Sequence, residues 1–166
     1  MIEYIGQVVG LLPLGISIFV YLYNDRKKTL WFKLISDLLW TLHFILLGQW
    51  TGAVINAICI LRGGLYLQKE RWRWVASLWT PIGFLIVSAI GTLISANGWI
   101  SLLPLIGSGL AVFGMWCTKP RVMRYFNMPA VTLWLIYGIA IRSWAVIISN
   151  SIFLVTQLAA WIRNRE

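Results

Sequence analysis

Apolar runs of about twenty residues alternate along the chain with short polar or basic breaks. A bilayer core of about 30 Å is crossed by roughly 20 mostly apolar helical residues. Each run is long enough to cross such a core as a single helix. The pattern predicts an all-α, polytopic membrane protein with seven transmembrane helices, at residues 4–23, 30–48, 50–68, 74–96, 99–117, 125–141 and 144–162.

The second half of the chain repeats the first at a fixed offset. Most aligned positions are merely apolar, but shared tryptophans and asparagines make the match more specific. Self-similarity at one spacing is typical of a duplicated unit. The shared pairs are Trp40 and Trp134, Trp50 and Trp144, and Asn56 and Asn150, each 94 positions apart.

This offset predicts a 3+1+3 arrangement, in which a linker helix separates two units of three helices. The first helix of each unit then enters the membrane in the same direction, so the repeats are parallel and related by an axis along the membrane normal. Residues 1–71 form the first repeat, 72–98 the linker helix and 99–166 the second repeat.

Composition and charge complete the prediction. The 166 residues are 60% hydrophobic and 11% charged, with a mean hydropathy of +0.79, which is too apolar for an ordinary soluble core. The 14 Lys and Arg outnumber the 5 Asp and Glu, but they lie in short clusters between apolar runs and do not indicate nucleic acid. These clusters follow the first, third, fifth and seventh helices, which predicts an outside N-terminus and a cytoplasmic C-terminus.

The repeated Trp and Asn side chains fall at nearly one depth. In each hairpin the Trp precedes the turn and the Asn follows it, both roughly 10–14 Å below the outer surface. Indole faces and amides suit a polyhydroxyl solute, whereas the alternative is that each Asn bonds between helices and each Trp fills the core. The predicted midplane pocket contains Trp40, Asn56, Trp134 and Asn150, with His43 and Tyr137 three residues after the two Trp.

Two charged residues lie deeper in the first hairpin. Asp37 and Arg62 both fall roughly 18–20 Å from the outer surface, on facing helices. Charges at this depth are costly unless paired, so we expect an ion pair that either fixes the packing or serves in gating or proton coupling. Lys33, one helical turn before Asp37, is a competing partner.

Two prolines and two cysteines complete the set of candidate residues. Pro13 and Pro104 are expected in the middle of helices, either as kinks fixed by packing or as hinges for alternating access. Cys59 and Cys117 form no CxxC pattern, and His43 is the one histidine. We therefore expect no disulfide framework, no metal site and no cofactor.

Residues 133–150, LWLIYGIAIRSWAVIISN, resemble a helix hairpin of the SWEET and SemiSWEET sugar transporters, in which W-x-x-Y-G is followed by Asn sixteen residues after the Trp. The 3+1+3 layout also looks like that superfamily. The resemblance implies a substrate pocket at Trp40, Asn56, Trp134 and Asn150. Over most of its length the chain looks more like the YgjV family of small bacterial inner-membrane proteins, whose LLPLIG motif lies at 102–107, which implies an inner-membrane location.

These patterns favour a facilitator or transporter of a small polar, sugar-like solute, embedded in the lipid bilayer as a monomer or homo-oligomer. The alternative is a receptor or accessory subunit of the same fold that does not transport. We do not expect an enzyme, because the chain has one His, one deep carboxylate and no G-x-S-x-G motif.

Overall fold

Helices form at every apolar run. The computed structural model describes residues 2–22, 26–116 and 120–163, with the backbone alone at 2, 17–22, 26, 29, 120–124 and 159–163. These residues form helices and no strand, which confirms the all-α class. The helices are α1 (Ile2–Val9), α2 (Leu11–Leu22), α3 (Arg26–Leu46), α4 (Trp50–Leu67), α5 (Trp79–Ser95), α6 (Leu102–Trp116), α7 (Pro120–Ala140) and α8 (Trp144–Arg163), with a 3-10 turn at Trp99–Ser101.

The first predicted helix, residues 4–23, is divided at Gly10 into α1 and α2. Gly10 lies against two other helices. A Cβ atom built on it would be 2.5 Å from Cβ of Ala145 and 2.5 Å from Nδ1 of His43. Because no side chain fits at such distances, this close approach requires glycine.

Pro13 and Pro104 lie near the start of helices. Pro13 is the third residue of α2, and Pro104 is the third residue of α6. The first N–H groups of a helix have no partner inside it, so the missing N–H of proline breaks no bond there. Each proline thus lies nearer the start of its helix than the sequence predicts, and the role of the two prolines as kinks or hinges stays a prediction. In α7, by contrast, Pro129 lies inside the helix.

The linker helix α5 is shorter than predicted. It begins at Trp79, because a series of turns occupies residues 68–78. The Thr80 hydroxyl donates to the Trp74 carbonyl at 2.9 Å and holds this segment against the start of the helix. Pro81 falls in the first turn of α5, where proline is tolerated.

The two hairpins, α3 with α4 and α7 with α8, have matching turns. α3 and α7 begin and end 94 positions apart, and α4 and α8 begin 94 positions apart. Gly48 and Arg142 take the left-handed conformation at equivalent positions, with φ of 67° and 54°. The backbone bonds also correspond: the amides of residues 47, 48 and 49 donate to the carbonyls of 43, 45 and 44, and those of 141, 142 and 143 donate to the carbonyls of 137, 139 and 138.

The helices form two groups, which α5 connects. In the first group α3 contacts both α2 and α4, and in the second group α7 contacts both α6 and α8. α5 packs on α4 and on α6. The groups also meet directly, because α4 contacts α6 while α8 contacts α1 and α2.

Apolar side chains cover much of the described surface. Leu93 and Ile94 at the end of α5, for example, are 81% and 83% exposed. Exposed apolar surface of this extent is typical of a contact with protein or membrane. Among the residues searched, Trp50–Leu67 and Trp99–Trp116 are long and apolar enough to cross a membrane, and four shorter apolar helices accompany them.

Candidate functional site

An aromatic cluster from α3 and α7 lies between the two helix groups. Its central ring belongs to Phe44, which is 1% exposed. The Phe44 ring centroid lies 6.0 Å from that of Trp40 and 5.8 Å from that of Trp134. Tyr137 completes the cluster at 5.9 Å from Phe44. The two repeated tryptophans are therefore brought together, but the Phe44 ring fills the space between them.

Asn56 and Asn150 use their amides within their own helices. Nδ2 of Asn56 donates to the Gly52 carbonyl at 2.9 Å, and Nδ2 of Asn150 donates to the Val146 carbonyl at 2.8 Å. Each bond runs from residue i to residue i−4, so the two positions are equivalent in structure as well as in sequence. Neither bond joins two helices, in contrast to the interhelical bonding that the alternative interpretation expects.

His43 is fully buried and joins three segments of the chain. Its Nδ1 lies 2.7 Å from the Gly6 carbonyl in α1, and its Nε2 lies 2.9 Å from Oγ of Ser143 at the start of α8. A carbonyl only accepts, so Nδ1 carries the proton, and in the neutral ring Nε2 accepts from the Ser143 hydroxyl. His43 therefore fixes the packing of α1, α3 and α8.

Tyr137 makes the reciprocal contact from the second group. Its hydroxyl lies near the backbone of Gly52, in the first turn of α4, and its ring belongs to the same buried cluster as Ala53. His43 of α3 thus reaches the start of α8, and Tyr137 of α7 reaches the start of α4. Both residues align at the 94-residue offset, so the two groups exchange contacts from equivalent positions.

Two further polar contacts cross between the groups near the hairpin turns. Nε2 of Gln7 in α1 donates to the Arg142 carbonyl at 3.1 Å. The Thr51 hydroxyl lies 3.2 Å from Oγ of Ser101, in the 3-10 turn before α6. The first helical segment of each group therefore contacts the hairpin turn of the other group.

A cavity of about 250 Å³ lies at the hairpin-turn end of the helices. It is lined by the turn at residues 48–51, by polar residues between 95 and 101, and by the end of α7 from Tyr137 onward. Of the six residues predicted to form the midplane pocket, Tyr137 lines this cavity. The other five, Trp40, His43, Asn56, Trp134 and Asn150, do not line it.

The charged residues of the first hairpin are arranged differently from the prediction. Asp37, which is 2% exposed, forms an ion pair with Lys33 on the same helix. Arg62, also 2% exposed, is directed at α6, where Nη1 donates to the Ser108 carbonyl at 3.4 Å. An Asp37–Arg62 ion pair is not found among the described residues. Lys33 takes Asp37 because residues i and i+4 are neighbours on a helix face.

The structure describes one of the two cysteines and most of the residues that could bind a metal ion. These residues contain no group of three His, Cys, Asp or Glu that could hold a metal ion. Cys59 is buried, with Sγ 3.4 Å from Oγ of Ser108. Cys117 lies outside the described residues.

Three polar residues of the site are missed by the sequence prediction. Ser143 precedes α8 and accepts the Val146 amide at 3.3 Å, as an N-cap residue does. Ser88 and Thr92 are buried on α5. The sequence carries a signal for each of them. Serine is favoured at the position before a helix, which is where Ser143 lies. Ser88 and Thr92 are four residues apart, so they share one face of α5.

Comparison with known proteins identifies the family. Residues 4–166 match the model of the Imp-YgjV family, described as a bacterial inner membrane protein. No curated protein and no solved structure matches the chain significantly. The family match covers nearly the whole chain and agrees with the exposed apolar helices. The chain therefore belongs to the YgjV family of bacterial inner membrane proteins.

Proposed function

We propose that this inner membrane protein is a seven-span facilitator or transporter of a small polar, sugar-like solute, with two parallel repeats at residues 1–71 and 99–166 and a linker helix between them. The observation that carries the proposal is the meeting of Trp40 and Trp134 across Phe44 between the two groups. Indole faces stack on the C–H faces of sugar rings. A solute passes between the groups when the Phe44 ring moves aside.

The matched hairpins support the parallel arrangement. The same turn follows α3 and α7, and the same backbone bond is made by Asn56 and Asn150. Reciprocal contacts between the groups, made by His43 and Tyr137, support a two-fold relation. Two similar halves around such an axis are the arrangement in which transporters alternate access to a central site.

Topology is tested with single cysteines in a chain whose Cys59 and Cys117 are replaced by Ser. The basic segment at residues 68–78 is placed in the cytoplasm, and the turn at 95–98 outside. A membrane-impermeant maleimide applied to intact cells should label Asn97→Cys and leave Ala76→Cys unlabelled until the membrane is opened. The reverse labelling would overturn the proposed orientation.

Solute binding is tested by thermal unfolding of the detergent-purified protein with a panel of sugars, nucleosides, vitamins and amino acids. A ligand that binds the folded state alone stabilises it by about 2.7 kcal/mol at a hundredfold excess over its dissociation constant. The expected result is stabilisation by a polyhydroxyl compound that is lost in the double variant Asn56→Ala with Asn150→Ala. Asn127→Ala, a half-buried Asn of α7, is the matched control.

Transport is tested with the stabilising compound, by uptake into vesicles that contain the purified protein. Uptake that requires Asn56 and Asn150 supports the proposal. Binding without uptake would favour the receptor or accessory subunit. Stabilisation that survives in the double variant would remove the midplane pocket from the proposal.

A further inference from the structure

One face of α5 carries a row of hydroxyl side chains in an otherwise apolar helix. Ser88, Thr92 and Ser95 follow one another at a spacing of about one helical turn, so they share this face. Ser88 and Thr92 are 1% and 2% exposed. Neither Ser88 Oγ nor Thr92 Oγ1 has a hydrogen-bond partner. A buried hydroxyl without a partner is costly, so these two atoms need an explanation.

This hydroxyl face is directed into the seam between α4 and α6. Two neighbours on α5 fix the direction. A Cβ built on Gly91 would lie 2.8 Å from Cγ1 of Val54 in α4, and Cδ2 of Leu85 lies 3.1 Å from the Cβ position of Gly109 in α6. Gly91 therefore faces α4, and Leu85 faces α6. Ser88 is three residues from each of them, so on the helix circumference it lies between these two and faces the seam where α4 meets α6.

Arg62 of α4 lies at the inner part of the same seam. Its Nη1 donates to the Ser108 carbonyl at 3.4 Å, its Nη2 lies 3.5 Å from Sδ of Met115, and its Nε has no partner. A carbonyl and a thioether do not neutralise a guanidinium. No ion pair of Arg62 is found in the part of the chain that the structure describes. The Arg62 side chain is 2% exposed, so its positive charge is buried. Its two hydrogen bonds, to Ser108 and Met115, are long and therefore weak.

The outer part of the seam is polar as well. Thr51 donates to the Ser95 carbonyl at 2.8 Å and lies 3.2 Å from Oγ of Ser101, and these three residues line the 250 Å³ cavity. The hydroxyl face of α5 therefore leads from Ser95, at this cavity, to Thr92 and Ser88. Arg62 of α4 lies on the same seam through its contacts with Ser108 and Met115 of α6. A guanidinium and donating hydroxyls are the groups that bind a carboxylate or a phosphate.

We infer that the seam between α4, α5 and α6 is a binding site for a small anion that carries a carboxylate or phosphate, with Arg62 as its counter-charge and Ser88 and Thr92 as hydroxyl donors. The anion enters from the cavity at the hairpin-turn end. This inference rests on the proposed function in one respect: the anionic group belongs to the solute that the protein carries. An anionic lipid headgroup offers the same chemistry.

The test measures thermal unfolding of the full chain in neutral detergent with inorganic phosphate, lactate or succinate, at constant ionic strength set with chloride. At least one anion should stabilise the wild type, and Arg62→Gln should weaken its apparent affinity by about tenfold or more. Arg73→Gln removes the same charge from an exposed loop position and should leave the affinity unchanged.

Two further variants keep the test informative if Arg62→Gln does not fold. Arg62→Lys keeps the charge and should bind more weakly than the wild type, because the planar fork of donors is lost. Ser88→Ala with Thr92→Val removes unpartnered hydroxyls, so the protein should fold at least as well and still bind the anion more weakly. Equal anion affinity in the wild type and in these variants would overturn the site.

Lipid and solute are separated by repeating the measurement in nanodiscs with and without phosphatidylglycerol. Stabilisation by the free anion in phosphatidylcholine alone supports a solute site. Stabilisation that needs phosphatidylglycerol and is lost in Arg62→Gln would overturn the solute and leave a lipid headgroup as the occupant. Uptake of a sugar with no anion binding would overturn this inference alone, and anion binding with no uptake of any compound would overturn the proposed transport alone.

Discussion

Nε2 of His43 lies 2.9 Å from Oγ of Ser143, so the first helix group is bonded to the residue that caps the last helix. The same Oγ accepts the Val146 amide at 3.3 Å. Ser143 therefore serves two purposes: it caps α8, and it satisfies a fully buried histidine nitrogen. This hydroxyl is therefore one of the polar contacts that hold the two groups together.

Replacing Ser143 by Ala removes both bonds. The lost cap costs about 1 kcal/mol, and the unpartnered Nε2 adds about 1–3 kcal/mol. We expect a clear fall in the thermal unfolding midpoint of the detergent-purified protein. Gln49 is the matched control, since it precedes α4 at the equivalent position and makes no side-chain cap bond. An equal effect of Gln49→Ala would contradict the role of the Ser143 hydroxyl.

The left-handed turn position is occupied by Gly48 in one hairpin and by Arg142 in the other. A side chain in this conformation costs about 1–2 kcal/mol. Gly48→Ala should therefore lower the unfolding midpoint by about 2–8 °C, and Arg142→Gly should raise it. The two changes are made at equivalent positions, so the opposite direction of the two midpoint shifts serves as the internal control. A fall in both variants would show that the conformation is not the cause.

Gly10 has no room for a side chain. At Gly15, five residues later, no described atom beyond its chain neighbours and its own helix backbone lies within 4 Å of the Cβ position. Gly10→Ala should destabilise the protein by about 1–3 kcal/mol, because Ala145 and His43 must move. Gly15→Ala should be neutral or stabilising, because Ala favours the helix over Gly by about 1 kcal/mol. Thermal unfolding of the two variants measures the difference. Similar losses in both would mean that α1 does not approach α3 and α8 as described.

The partner of Asp37 is tested by two double-mutant cycles. Lys33→Ala leaves a buried carboxylate without its counter-charge, a loss that Asp37→Asn relieves. The cycle of Lys33 and Asp37 should give a coupling within the range of about 0.5–3 kcal/mol seen for contacting residues. The cycle of Asp37 and Arg62 should give a coupling near zero. Stronger coupling in the second cycle would restore the ion pair that the sequence predicts.

Much of the fold is predictable from the length of the apolar runs. α4 is predicted at residues 50–68 and lies at Trp50–Leu67, because a helix long enough to span a bilayer is set by local composition. The division at Gly10 is not predictable in this way. It depends on His43 and Ala145, which are distant in the sequence and approach Gly10 only in the folded chain.

The candidate site is predicted in part. Asn56 and Asn150, which the offset pairs, make the same bond to the carbonyl four residues earlier, and their role in a solute pocket stays a prediction. The offset does not predict that Phe44 fills the space beside Trp40, because the equivalent residue is Gly138, which has no side chain to fill such a space. The resemblance to sugar transporters stays a prediction.

The exchanged contacts near the hairpin turns have a consequence for biosynthesis. When the first four helices leave the ribosome, Gln7 and His43 lack the partners that Arg142 and Ser143 later supply. Ala145, which packs against Gly10, has also not yet been synthesised at this stage. The α1 segment therefore reaches its final packing only after the start of α8 has been made, although α1 is synthesised more than 130 residues before that point.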